Sequence, residues 1–302
     1  GEIIWEKGYG ENINNGSKSE DGYWVVETND NGFILVGTTK SYGNANGYWD
    51  IYIVKTDSNG NKIWEKTYGG EKDDIAKSII ETIDNDYIVV GYTVDNNSWT
   101  SQKAYVFKIN GNGDVIWEKK FNENIITDAS RIIKTSDNNY LISGKTLLSN
   151  NGTYYNSNQY DFLALKIDND GNKIWSKNDG TDKYEQANDL ILTSENDYVL
   201  VGTTSNDEYD NESKDIYFAR IDENGNLIHS KSLIKSGRDV GNSITKTNDN
   251  NFFILGTTTE MNQGSWDMSL TKVDGYGNKI WEKTYGEVGT QEDGNYIQPT
   301  SD

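Results

Sequence analysis

Carboxylates carry most of the chemical potential of this sequence, because it has 48 Asp plus Glu, one His and no Cys. Six of them recur at one place: Glu20, Asp74, Asp128 (beside Thr127), Glu185, Asp239 and Glu292, each just before a small residue of the set Gly22, Ala76, Ala129, Ala187, Gly241 and Gly294. Oxygen ligands of this kind suit hard cations such as Ca²⁺ and Mg²⁺, so the set could take Ca²⁺, and no cofactor is required. Paired carboxylates also serve glycoside cleavage as acid and base. The competing expectation is architectural: a carboxylate present in every repeat accepts backbone N–H groups and ties one repeat to the next. A second set is aromatic. Trp49, Trp99, Tyr154, Tyr155, Tyr160 and Trp266 fall in segments of variable length, where planar rings beside Asp and Asn could stack on a sugar or a peptide, or where Trp49, Trp99 and Trp266 could simply cover sheet edges.

Positioning these groups falls to a repeat. Ile-Trp-Glu-Lys recurs at Trp5, Trp64, Trp117 and Trp281, with Trp175 and His229 in the same slot, every 52 to 59 residues. Each repeat reads as four short segments, a to d, bounded by Asn, Asp and Gly. In the second repeat these are 76–83, 86–93, 104–109 and 114–120. Segments b and c are β-branched and aromatic without helical periodicity, which predicts strands buried on both faces. Thr-x-Asp/Glu-Asn (Thr82 to Asn85 and its equivalents) predicts a tight a to b turn. The c to d turn (Asp57 to Asn61 and its equivalents) needs a glycine at positive φ, supplied by Gly60 and its counterparts. Asp168 to Asn172 starts like an EF-hand loop but places its glycine fourth and lacks the closing Glu, so turn chemistry accounts for it.

Four-stranded antiparallel repeats cannot bury both faces alone, whereas stacking around an axis can. The predicted fold is therefore an all-β propeller over 1–302, one domain with repeats near 11–68, 69–121, 122–179, 180–233 and 234–286, a lone first strand d (3–9) and a partial sixth repeat (287–302). Its six acidic positions would ring the central channel, and its variable b to c loops would form the working face. Strands b and c of a sixth repeat are missing. The expectation is that the protein continues past Asp302 or that a neighbouring chain fills the gap by strand addition. One basic residue per strand c (Lys55, Lys108, Lys166, Arg220, Lys272) is expected to pair across the hairpin with Glu65, Glu118 and Glu282. The Trp series and His229 are expected to pack sheet against sheet.

In strand order the repeat resembles kelch-type repeats, with a Tyr-rich strand b ending in Gly (Tyr87 to Gly91), though a single Gly stands where kelch repeats have two. Asp57, Gly60 and Trp64 also resemble the tryptophan motif of quinoprotein propellers and the Asp-box of sialidases, at a different Asp to Gly spacing. Overall the chain is similar to the tandem propeller repeats of bacterial and archaeal surface proteins, which implies an extracellular or cell-surface location.

A formal charge of -20 repels phosphate backbones and argues against nucleic acid as partner. No apolar run approaches the length of a membrane span. Nor does any single repeat break the pattern with a nucleophile, base or metal triad. The sequence thus favours a non-catalytic module that binds carbohydrate or protein, or its own copies through the terminal strands. Alternatives are a glycosidase or lyase using axial carboxylates, and a structural spacer in a larger surface protein or filament.

Overall fold

A computed structural model describes residues 3–10, 19–42, 47–95, 101–121, 126–147, 160–180, 183–206, 213–233, 237–259, 266–287 and 289–299. Its described elements are twenty strands in five antiparallel sheets of four, with sequential strands paired within each sheet. The first sheet holds β1 (Glu20–Glu27), β2 (Phe33–Thr39), β3 (Asp50–Thr56) and β4 (Lys62–Tyr68), and the second β5 (Asp74–Glu81), β6 (Tyr87–Val94), β7 (Gln102–Ile109) and β8 (Val115–Phe121). The third consists of β9 (Ile126–Lys134), β10 (Tyr140–Leu147), β11 (Tyr160–Ile167) and β12 (Lys173–Asp179). β13 (Tyr184–Leu192), β14 (Tyr198–Ser205), β15 (Asp215–Ile221) and β16 (Leu227–Leu233) form the fourth. The fifth comprises β17 (Asp239–Lys246), β18 (Phe252–Thr258), β19 (Asp267–Val273) and β20 (Lys279–Tyr285). The predicted strands of the second repeat agree to within two residues.

The chain falls into two compact units, 1–132 with 169–172, and 133–168 with 173–302. In the first, Ile34, Val36, Ile51 and Ile53 of sheet one pack on Ala76, Ile79, Val89 and Phe107 of sheet two. The second unit has two such layers, one centred on Phe162, Leu190 and Tyr198 and the other on Phe218, Ile244 and Ile254. β11 and β14 are buried at every position, as expected of strands b and c buried on both faces. The small residues Ala76 and Ala187 lie inside these layers, where a larger side chain would hold the sheets apart.

Turn chemistry follows the sequence closely. Gly60, Gly113, Gly171, Gly225 and Gly277 have φ between 72° and 79°. Position also demands glycine there: a Cβ on Gly171 would lie 2.8 Å from the Trp117 ring, and one on Gly225 would lie 2.7 Å from that of Trp175. The d-strand Trp of one repeat therefore lies over the c to d turn of the next. Trp64 Nε1 donates to the Gly111 carbonyl at 3.0 Å, and Trp117 Nε1 to that of Asn169 at 3.2 Å. His229 takes this slot against Phe218 and Tyr276, and burial lowers its pKa, so the imidazole acts as a packing group. In the a to b turns it is Asn31, Asn85, Asn138, Asn196 and Asn250 that adopt positive φ, near 60°. Asn tolerates this conformation through local hydrogen bonding.

A β-bulge in strand a is a feature that the sequence reading did not anticipate. Register shifts fall between Gly22 and Trp24, Ala76 and Ser78, Ala187 and Asp189, and Gly241 and Ser243. Each faces the glycine of strand b: Gly37, Gly91, Gly202 or Gly256. A bulge re-aims the extra residue's side chain. Lys77 reaches Asp128 at 2.7 Å, while Asn188 and Asn242 donate to the carbonyls of Gly241 and Gly294, both at 2.9 Å. The bulge thus clamps the second sheet to β9, the fourth to β17 and the fifth to the segment at Gly294.

Strand-c cations do not pair across the c to d hairpin as expected. Lys55 bonds Asp30 (2.8 Å), Lys166 bonds Asp137 (2.8 Å), Arg220 bonds Asp197 (2.8 Å) and Lys272 bonds Asp249 (2.7 Å), all acids of the a to b turn. Register explains the correction. Lys55 stands opposite Trp64, so Glu65, one residue on, projects from the other face and accepts from Tyr52 instead. Glu118 does the same with Tyr105 at 2.6 Å.

Residues 3–9 form no strand, yet they make the contacts of one. A Cβ on Gly60 would stand 2.8 Å from the Trp5 ring, and the Tyr9 hydroxyl donates to the Gly60 carbonyl at 2.7 Å, as Tyr68 does to Gly113 at 2.7 Å. Segment 289–299 is likewise not a strand, although Asn242 binds Gly294 as Asn188 binds Gly241. Ladder hydrogen bonds require a neighbouring strand, and the described residues place none beside either segment.

Candidate functional site

At the b to c end of each sheet the start of strand a, the end of b, the start of c and the end of d come together. All six acidic positions lie at this end. Glu20 heads β1 and accepts from Thr39 Oγ1 at 3.1 Å. Asp74 heads β5, is 3% exposed, and accepts the Gly70 N–H at 2.7 Å. Asp128 in β9 is buried against Lys77, and Glu185 in β13 is buried with Thr204 Oγ1 at 3.5 Å. Asp239 heads β17 and is fully buried, while Glu292 accepts from Thr290. Three of these residues also tie repeats together through the backbone. The amides of Asp74, Asp239 and Glu292 donate to the carbonyls of Trp49, Lys214 and Trp266 at 2.7, 2.6 and 2.8 Å. In each case the acceptor immediately precedes strand c of the preceding repeat.

A second row of acids went unnoticed in the sequence: Asp50, Asp161, Asp215 and Asp267, each at or next to the first position of strand c. Their recurrence was the available signal. A Cβ on Gly69 would lie 2.7 Å from both Asp50 Oδ1 and Asp74 Oδ2, and one on Gly286 would overlap Asp267 and stand 2.8 Å from Glu292 Oε2. Two carboxylates therefore converge on the d to a glycine. Among the described residues, no three His, Asp or Glu side chains are grouped to hold a metal ion.

Burial pushes the Asp74 carboxyl above its usual range, against the opposing hydrogen bonds of Thr93 and Gly70. A carboxyl whose pKa is raised by folding favours the folded state below pH 3.8, and that contribution is lost as pH rises through the folded value. Asp74→Asn should therefore leave stability at pH 7 equal to or above that of the parent, with the difference closing towards pH 3. Urea titrations at both pH values measure this, and a variant clearly less stable at pH 7 would contradict it. Asp30 has the opposite sign. Lys55 and then Thr28 hold it down to about 2, so its contribution is present above pH 3.8 and fades as pH falls towards 2.

Between β5 and β8 this end opens into a cleft of about 380 Å³ lined by Gly69, Gly70, Glu71, Lys72, Asp74, Thr93, Asp95, Tyr105, Glu118 and Lys120. Lys120 bonds Asp95 at 3.0 Å, and Lys72 donates to the Tyr48 hydroxyl at 3.2 Å while standing 4.3 Å from that ring's centroid. Burial, then Glu118, pushes the Tyr105 phenol well up, so it remains a hydrogen-bond donor. The opposite, turn-bearing end of this unit has a cleft of about 350 Å³ beside Asn29, Asp30, Lys55 and Asn85. Inter-repeat bonds cross it, including Asn29 N to Glu81 at 2.9 Å.

Of the aromatic candidates, Trp49 is half-buried just before β3 with the Lys40 ammonium 4.5 Å from its centroid. Trp266 is half-buried just before β19 under the Arg238 guanidinium, at 3.9 Å. Tyr160 is buried at the start of β11, edge-on to Tyr184, with Lys145 at 4.5 Å. Trp99, Tyr154 and Tyr155 lie outside the described residues.

No protein-family model matches the sequence, and no curated relative is found by sequence. Among solved structures, the chain is similar to an ulvan lyase of polysaccharide lyase family PL25, at 12% identity over 86% of this chain and 68% of that one, with a TM-score of 0.57. A PL25 ulvan lyase bound to -[GlcA(1-4)Rha3S]- aligns at 13% identity over 92% and 72%, again at 0.57. A puromycin-hydrolysing peptidase of Mycobacterium tuberculosis aligns at 8% identity over 88% of this chain and 38% of that one, with a TM-score of 0.52. At such identities the likeness concerns fold alone: repeated four-stranded antiparallel sheets consistent with the propeller type.

Proposed function

We propose that the protein is a non-catalytic carbohydrate-binding module. The observation that carries this reading is the composition of the 380 Å³ cleft. Lys72, Lys120 and the Tyr105 hydroxyl are donors, Asp74, Asp95 and Glu118 are acceptors, and Tyr48 adds a ring at the margin beside Lys72. Sugar hydroxyls both donate and accept, so a cleft of alternating donors and acceptors matches them. An extracellular or cell-surface location follows from such a polymeric ligand and forms part of the proposal, as does the kelch-like kinship of the repeat. A glycan array on the intact protein tests it. Binding should be found and should fall about tenfold in Glu118→Gln, a loss of about 1.4 kcal/mol. An array with no bound glycan would overturn the reading.

One observation favours a second reading, a glycosidase or lyase. Asp74 is a carboxyl held towards its protonated form, and it lines the same cleft as Glu118, the arrangement by which two carboxylates divide acid and base roles. Turnover on a polysaccharide panel that disappears in Asp74→Asn would establish this reading in place of the first.

A further inference from the structure

Most cations at the ends of the sheets meet carboxylates, as Lys120 meets Asp95 at the b to c end of the second sheet. At the turn end, Lys55, Lys108, Lys166, Arg220 and Lys272 all meet carboxylates. At the b to c end of the fifth sheet, Arg238 has no carboxylate partner among the described residues. Its backbone is fixed by Thr259, whose Oγ1 accepts the Arg238 N–H at 2.9 Å and whose own N–H donates to the Arg238 carbonyl at 3.0 Å. The guanidinium lies on the Trp266 ring at 3.9 Å, with Nε buried and lacking a hydrogen-bond partner among the described residues. Burial lowers its pKa, yet the group stays charged. The first sheet repeats the device, since Lys40 stands over Trp49 and also has no acid partner among the described residues.

In a chain with 48 acids and 28 bases, a guanidinium placed on an aromatic ring, with no ion pair to a described carboxylate and with Nε unbonded among the described residues, is suited to an acidic ligand. Stacking fixes the plane of the fork, and a planar fork matches a carboxylate in bidentate fashion. We propose that Arg238 and Trp266 form a subsite for the carboxylate of an acidic sugar, Arg238 bonding the anion and Trp266 holding the guanidinium in orientation. This rests on the carbohydrate-binding reading above and narrows it to ligands containing uronic acid. Lys40 on Trp49 offers a weaker counterpart, because an ammonium is a point charge without the fork.

Three probes test the proposal on the intact protein: an oligogalacturonate, its carboxyl-reduced counterpart and an oligoglutamate peptide. Binding is followed by affinity and by the NMR signals of the Trp266 indole and Arg238 Nε–H. The oligogalacturonate should move both signals and bind about tenfold more tightly than the reduced sugar. Arg238→Gln should remove that advantage, whereas Arg238→Lys should retain part of it. Equal binding of charged and reduced sugars, or shifts elsewhere only, would overturn the subsite while leaving the carbohydrate-binding reading in place. Preference for the peptide would also overturn it. Failure of both sugars, together with an empty glycan array, would remove both proposals.

Discussion

Gly91→Ala is expected to lower the unfolding free energy by about 3 kcal/mol, at the upper end of the cost of overpacking. Gly91 faces the bulge between Ala76 and Ser78, and an added Cβ would overlap the Ile75 carbonyl oxygen and stand 2.8 Å from Ala76 Cα. Both obstacles are backbone, so relief requires the strands to separate or the bulge to disappear. Without the bulge, Lys77 would no longer be aimed at Asp128. Gly111→Ala is the control. Its Cβ would meet nothing nearer than the Asn85 carbonyl at 3.9 Å, and stability should stay within about 0.5 kcal/mol of the parent. Urea unfolding measures both, and equal midpoints for the two variants would refute the clamp.

The second large effect is expected for Lys108→Met, at about 2 to 3 kcal/mol, below the range for a fully buried pair because its partners are partly solvated. Lys108 is 4% exposed, and its ammonium bonds Asp86 at 3.2 Å and Asn169 at 3.2 Å, with Asp84 at 3.6 Å. Methionine fills the same space, so the loss isolates the charge and leaves the mostly buried Asp86 without its ammonium. Asp86→Asn in the same chain should recover part of it, a coupling that a double-mutant cycle reads directly. Lys62→Met removes a solvent-exposed pair with Glu65 and should cost under about 0.5 kcal/mol.

The five four-stranded repeats, their strand order and both turn types were legible because each depends on local pattern: short segments bounded by turn residues, Gly at the c to d turn and Asn at the a to b turn, whereas 3–9 and 289–299, expected as strands, are not strands. The cross-hairpin ion pairs were misjudged because spacing alone does not fix register parity. With Lys55 opposite Trp64, Glu65 had to face the other way. Nor could the bulge be read in advance, although the single glycine ending strand b was its trace. A residue that must be glycine because of its partner strand looks, in sequence, like any other glycine. Sequence placed six acids at the strand starts, but it missed the strand-c Asp row that meets them, because pairing Asp50 with Asp74 depends on how one repeat is stacked on the next. The cleft at Glu118 and Lys120 and the cation over Trp266 were beyond reach because each joins segments that only the pairing of the sheet brings together.

Whether the b to c end of the sheets recognises sugar is decided most directly by titrating the isotopically labelled intact protein with the glycan that an array selects, resonance by resonance. Shifts are predicted at Gly69, Gly70, Lys72, Glu118 and Lys120, around the larger cleft. Shifts gathered instead at Asn29, Lys55 and Asn85, on the turn-bearing end, would contradict that placement, and an unchanged spectrum would contradict the sugar itself.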